Sequence, residues 1–296
     1  MPHSIGVRLT RGIAMGNERE TWREWFAWMA QSGFRVVDVP ELTDEMKRDT
    51  EEAGLAIGTF DVGALQVARL FSKDEQKRYE ALEGVRQSIQ AAASRGGKLC
   101  FMCLKPEDPT TTRQESFELF KEMFPGLLAS AEQAGVALVL EGWPGNAPYY
   151  PTIGCTPEML RAMFEAVPSP ALQLNYDPSH LVRLGIDSIR FLREFSGRIG
   201  HVHAKDCVIL PENVYLYGRH QPPVFGHAIK SSEGPWRYTI PGEGEADWAA
   251  IAFELDLSGY GGAVTIELED HRYKGSVEEH RRGLVKSLQH LSRFFA

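Results

Sequence analysis

The sequence predicts an α/β fold, a single-domain (β/α)8 TIM barrel over residues 1–296. Three observations point to it. Short apolar runs alternate with longer amphipathic segments from end to end, the pattern of parallel strands covered by helices. Eight such units fit in 296 residues, the length that a closed barrel of this kind needs. The turn after the first run, RLTRGIAMGNERE, lacks G-x-G-x-x-G, and no composition break marks a second domain, so a doubly wound sheet is disfavoured.

The units follow in order. SIGVRL opens the chain, and a helical pattern covers residues 21–32. FRVVDVP precedes a helix at 43–53, and LAIGTFD precedes a long charged helix at about 72–94 that Gly96 and Gly97 can end. KLCFMCL leads to a helix at 110–134, stopped by Gly135. VALVLEGWP precedes TPEMLRAMFEAV, whose Thr156 and Pro157 suit the N-cap and the first helical position. LQLNYDPSH precedes a helix at 187–195. IGHVHAKD is followed by about 35 residues rich in Gly, Pro and aromatics, a long lid-like βα connection at about 207–241. A helix at 247–257, the run GAVTIELED and a last helix at 276–295 complete the count.

Composition narrows the function classes. Thirty-two basic against forty acidic side chains give a net charge of −8, and no block of Lys and Arg interrupts it, which disfavours a nucleic-acid partner. No apolar run approaches the roughly 20 residues that span a bilayer, and the start MPHSIGVRLT is not a secretory signal, so no membrane partner is expected. Cys100 and Cys103 form C-x-x-C inside an apolar strand, where positions three apart face opposite sides and share no metal. With Cys155 and Cys207 isolated, the cysteines fit a reducing cytoplasm.

In a parallel barrel, chemistry sits at the C-terminal ends of the strands. From the fifth strand onward those ends carry Glu141, Asp177 with His180 three residues on, His201 and His203, and Glu267 with Glu269 and Asp270 just beyond. Three carboxylates and an imidazole converging above the axis would repel strongly unless something neutralised them. A divalent cation does so. An oxygen-rich set with one nitrogen suits Mn²⁺ first, with Mg²⁺ or Co²⁺ as alternatives. A lone carboxylate at a strand end is more often a cap or an ion-pair partner; the case rests on four suitable groups in equivalent places. His201 and His203 face the same side of one strand, so one can be an inward layer residue and the other a ligand. Lys205 and Asp206 can hydrogen-bond a substrate or pair with each other, and Trp143 can stack on a sugar face or simply pack.

The strings YDPSHLVRLG, HVHAKD, PGEGEADW and IELED resemble the xylose-isomerase-like superfamily of sugar isomerases and epimerases. The resemblance runs over the whole chain and is sharpest from Glu141 to Asp270. It implies one metal held by Glu141, Asp177, His203 and Glu267. It further implies that Glu141 and Glu267 are the catalytic pair, one removing a proton beside a metal-polarised carbonyl and the other returning it, through an enediolate. His180 takes a substrate-contacting or acid/base role, with a ligand-orienting histidine as its plain counterpart. Lys205, Trp143, His201 and Asp206 join it as expected substrate contacts.

The implied activity is that of a divalent-metal-dependent isomerase or epimerase acting on a small carbohydrate. Ketose 3-epimerases of the superfamily carry an arginine shortly after the second histidine, where this chain continues KDCVILPEN, so a larger oxidised glycoside or an inositol-like substrate is credible. The same first step serves lyases, which dehydrate ketoinositols or cleave 3-oxo-C-glycosides. An apurinic endonuclease needs further histidines on the early strands, and none lies between His3 and His180. A non-catalytic sugar-binding barrel would not need both glutamates. A cytoplasmic homo-oligomer is expected, with a small second subunit if the chain is a C-glycoside deglycosidase.

Overall fold

Eight parallel strands close on themselves in the order β1-β10-β7-β6-β5-β4-β3-β2, in a computed structural model that describes residues 3–9, 22–226 and 229–295. They are β1 (Ile5–Arg8), β2 (Val36–Val39), β3 (Ala56–Asp61), β4 (Leu99–Met102), β5 (Ala137–Glu141), β6 (Leu172–Tyr176), β7 (Ile199–Ala204) and β10 (Val264–Ile266). β1 and β2 are buried along their whole length, as a sheet lined by side chains within and helices without demands. The turn after the first strand and the start of the first helix at Thr21 lie outside the described residues.

The helix signals in the sequence act where they stand. Thr112 and Glu115 form a reciprocal capping box, and Gly135 ends that helix in the left-handed conformation at φ 68°. Thr43, Thr156, Asp187 and Asp247 each cap a helix through the side-chain oxygen, an arrangement that stabilises by about 1 kcal/mol apiece.

Strict alternation is not what the chain does. Between β3 and β4 the short helix Ala64–Arg69 precedes Glu75–Ser94, and between β6 and β7 the helix Pro178–Leu184 precedes Ser188–Phe195. The second case follows from Asp177 as cap, Pro178 in the first turn and Gly185 at φ 73° as stop. The segment after β7 also has structure of its own. β8 (Asp206–Ile209) and β9 (Trp236–Thr239) pair antiparallel outside the barrel, with the helix Pro211–Tyr217 between them. Cys207, Trp236 and Tyr238 form a small core beneath this insertion, against Val182 and Ile209.

Two carboxylates tie the insertion to the barrel. Asp206 accepts from the backbone N–H groups of Cys207, Gly242 and Ala246 and from Trp248 Nε1, at 2.9–3.0 Å. A methyl at Gly244 would collide with that carboxylate, which accounts for one glycine of PGEGEADW. Asp270 accepts from Thr239 Oγ1 at 2.8 Å, Ile240 N at 3.3 Å and the Arg272 guanidinium at 2.5 Å. Among the described residues no helix is long and apolar enough to cross a membrane.

Burial pushes the Asp270 carboxyl up, but the Arg272 and Thr239 hydrogen bonds outweigh it and leave its pKa lowered to about 2. Its ionised form therefore stabilises the fold fully above pH 4 and loses that contribution as pH falls toward 2. Asp270→Asn should lower stability at pH 7 by about 1–2 kcal/mol and flatten the acid limb of a urea-unfolding pH series between about pH 4 and 2. An unchanged acid limb would refute this.

A candidate metal centre at the barrel mouth

Parallel register brings the predicted residues together. Glu141 on β5 lies opposite Asn175 on β6, Asn175 opposite His201 on β7, and His203 opposite Thr265 on β10. Because inward positions recur every second residue, Asp177, His203 and Glu267 stand one step further toward the mouth. One ligand atom from each of Glu141, Asp177, His203 and Glu267 falls within 4.8 Å of the others. His203 Nδ1 is 2.7 Å from Glu141 Oε2 and 3.7 Å from Glu267 Oε2, so the two glutamates flank one ring nitrogen.

Each carboxylate is held by the protein. Asn175 Nδ2 donates to Glu141 Oε2 at 2.8 Å, and Arg8 Nε donates to Glu267 Oε1 at 3.3 Å. The Lys205 ammonium is 1% exposed and ion-pairs with Glu267 Oε2, with Asp177 Oδ2 at 3.1 Å and with Glu269 Oε2 at 3.2 Å. Burial alone would push Glu141 and Glu267 up, but Lys205 leads the charges that hold both below the ordinary carboxylate range. At Asp177 burial prevails over Lys205 and His180, and its pKa is raised. The His203 imidazole is pushed up to about 10, because Asp38 and Glu141 outweigh the burial that would lower it.

This donor set fits a divalent cation. Three carboxylates and one imidazole converge in a desolvated mouth, and the Asp177 Oδ2 atom makes only ion pairs there, with no hydrogen bond of sound geometry. A second group, Asp38, His201 and His203, is also close enough to share an ion. Its carboxylate is already taken. Asp38 Oδ1 accepts from Thr59 N at 2.7 Å, and Oδ2 meets His201 Nε2 at 2.9 Å and Thr265 Oγ1 at 2.5 Å.

Two expected substrate contacts are therefore corrected. His201 is the inward layer residue of the pair, its ring nitrogen engaged by Asp38 and Thr265 below the mouth. Asp206 neither pairs with Lys205 nor faces a substrate, since four N–H donors of the protein occupy it. Trp143 sits half-buried after β5 with Lys105 Nζ 5.5 Å from its ring centroid. His180 joins the cluster, Nε2 lying 3.3 Å from Glu141 Oε1.

The early strands hold what the sequence reading passed over. Arg8, at the end of β1, is buried, grips Asp61 of β3 through two bonds of 3.0 Å and lies 3.9 Å over the Phe101 ring. Phe101 in turn stacks on His203 at 5.2 Å. The signal was available, because IGVR, VVDV and AIGTFD place Arg8, Asp38 and Asp61 at or near strand ends. In the insertion, Tyr215 is exposed, Trp236 is buried under Arg183, Arg219 and His220 are exposed, Arg237 lies 3.9 Å from Asp270, and His227 is outside the described residues. Tyr238, not singled out by the sequence, reaches His180 instead.

The model of the xylose isomerase-like TIM barrel family matches residues 24–294. The chain belongs to that family. An inosose dehydratase of Clostridium tetani is 26% identical over 259 residues, covering 84% of this chain and 82% of that protein. The structure of an IOLI protein with a zinc atom superposes with a TM-score of 0.71 at 16% identity, covering 99% of each chain. That of YcjR, a 3-keto-D-glucoside 4-epimerase from E. coli, superposes at 0.66 and 18% identity, covering 98% of this chain and 99% of that one. The family relatives are thus carbohydrate enzymes, epimerases and dehydratases alike.

Asp38 carries a buried charge that His201, the Thr265 hydroxyl and the Thr59 N–H compensate. Removing one partner of such a pair leaves the other uncompensated. Asp38→Ala should cost about 3–5 kcal/mol in urea unfolding at pH 7. A midpoint equal to that of the unsubstituted protein would show that the pair contributes nothing.

Proposed function

We propose that this family member is a divalent-metal-dependent carbohydrate enzyme that removes a proton from the carbon beside a carbonyl, and that it isomerises or epimerises its substrate. The observation that carries this reading is the convergence of four donors from successive barrel strands, with two glutamates on either side of His203 Nδ1. A cation held by Glu141, Asp177, His203 and Glu267 supplies a Lewis acid for the carbonyl oxygen and offsets the charge left when the neighbouring C–H bond breaks. Mn²⁺ suits the oxygen-rich donors best, with Mg²⁺ or Co²⁺ as alternatives.

The residues then divide the work. Both glutamates are held ionised, Glu141 by Lys205, His180 and His203, and Glu267 by Lys205, His203 and Arg8, so either can accept a proton. In epimerisation one carboxylate takes the C–H proton, the electron pair delocalises onto the carbonyl oxygen, and the other glutamate, once it has taken up a proton from solvent, delivers that proton to the opposite face. Lys205 and Trp143 face the substrate in this reading, and His180 assists beside Glu141. The cluster is crowded with carboxylates, which favours a neutral polyhydroxylated substrate over a phosphorylated one. The exposed apolar tip of the insertion, with Tyr215, Leu216, Val224 and Phe225 bare, supports a homo-oligomer.

A second reading is elimination of water, favoured by the inosose dehydratases that align over most of the chain. The first proton transfer is the same, but the electron pair goes on to expel the hydroxyl of the adjacent carbon, which takes a proton from a protonated glutamate and leaves as water. Incubation with a panel of ketoses, ketoinositols and 3-oxo-glycosides in deuterium oxide with Mn²⁺ separates the two. Deuterium at carbon without loss of mass is expected of an isomerase or epimerase, whereas loss of one water marks a dehydratase. Glu267→Gln or Glu141→Gln should slow exchange by about 10²–10⁴-fold, and chelation should abolish it. Full exchange in fully metal-free protein would end the proposal.

A further inference from the structure

A line of one-way hydrogen bonds runs from the insertion into the ligand cluster. A guanidinium can only donate, so the Tyr238 hydroxyl accepts from Arg183 Nη1 at 3.1 Å. On the far side of the His180 ring, Nε2 faces two carboxylate oxygens, Glu141 Oε1 at 3.3 Å and Asp177 Oδ2 at 3.4 Å. Acceptors on that side call for an N–H there. In a neutral imidazole Nδ1 is then the lone pair, and it receives the Tyr238 hydroxyl proton across 2.7 Å. Arg183, Tyr238, His180, Glu141 and Asp177 are all buried, so water does not compete for these partners.

We propose that Tyr238 is a positioning residue that holds His180 as its Nε2–H tautomer, so that the imidazole donates to and orients Glu141, with Asp177 beside it. His180 is then not a general base, because its only lone pair is capped from the insertion. For a neutral ring the tautomer follows from the hydrogen bonds; its consequence for metal binding rests on the metal-site reading above.

Tyr238 is itself firmly placed. It pairs with Cys207 in the β8–β9 hairpin, and the neighbouring Trp236 lies under the Arg183 guanidinium at 4.0 Å. Arg183 Nη2 also donates to Gly145 O at 2.7 Å and to Glu233 Oε2 at 3.0 Å. Glu233 then accepts from Ala147 N at 2.9 Å and from Tyr150 Oη at 3.1 Å. The base of the insertion is thereby joined to the loop after β5, and the pair forms a wall of the site rather than a free flap.

Two measurements test this. Long-range ¹H–¹⁵N spectra of histidine-labelled protein in Mg²⁺ buffer, assigned with His180→Gln, should show Nε2 protonated and Nδ1 not. An Nδ1–H or doubly protonated ring would overturn the proposal. Folded Tyr238→Phe should bind Mn²⁺ about 10- to 100-fold more weakly than wild type by calorimetry, and equal affinity would also overturn it. Should Tyr238→Phe not fold, Glu233→Gln loosens the same line from its outer end, and a several-fold loss is expected there, unchanged affinity counting against the proposal. If wild type binds no Mn²⁺, the metal-site reading falls, and the His180 tautomer alone decides the inference.

Discussion

Buried negative charge at the mouth of the barrel is the constraint on which the rest of the structure depends. Glu141, Asp177 and Glu267, with the half-buried Glu269 at their edge, gather around one ammonium, Lys205, and two imidazoles, His180 and His203. Taking such groups out of water costs several kcal/mol each unless charges and donors compensate. The protein supplies compensation in rings. Arg8, Asn175 and His180 steady the carboxylates from the sides, while Asp38 and His201 lie beneath His203.

That arrangement explains why charged residues of the early strands are buried although they carry no expected ligand. Arg8 bridges Asp61 and Glu267, linking β3 to β10 across β1, and its guanidinium plane rests on Phe101. Gly58 is needed for the same reason: a methyl there would strike the Asp38 carboxylate and lie 3.3 Å from the His201 ring. The cluster is built from nearly every strand, not from the last four alone.

The insertion is the feature that a bare barrel does not require. Its base is welded by Asp206, Asp270 and the Arg183–Glu233 pair, whereas the helix Pro211–Tyr217 buries none of its side chains. A rigid root and an exposed tip divide its duties. The root forms part of the site, and the tip offers apolar surface outward.

Periodicity and capping chemistry are local, and local signals were legible. Alternating runs announced the barrel, Thr156 and Gly135 marked helix ends, and strand-end positions singled out Glu141, Asp177, Glu267 and one of His201 and His203, because register in a parallel barrel carries equivalent positions to one point. Partnerships between distant residues were not legible. Lys205 and Asp206 are neighbours in sequence, yet one turns into the carboxylate cluster and the other into a ring of backbone N–H groups. Tyr238 meets His180, 58 positions earlier in the chain, only because a hairpin folds back over it. Which atom satisfies a buried charge depends on three-dimensional approach, and that was decided by the closing of the barrel and the docking of the insertion.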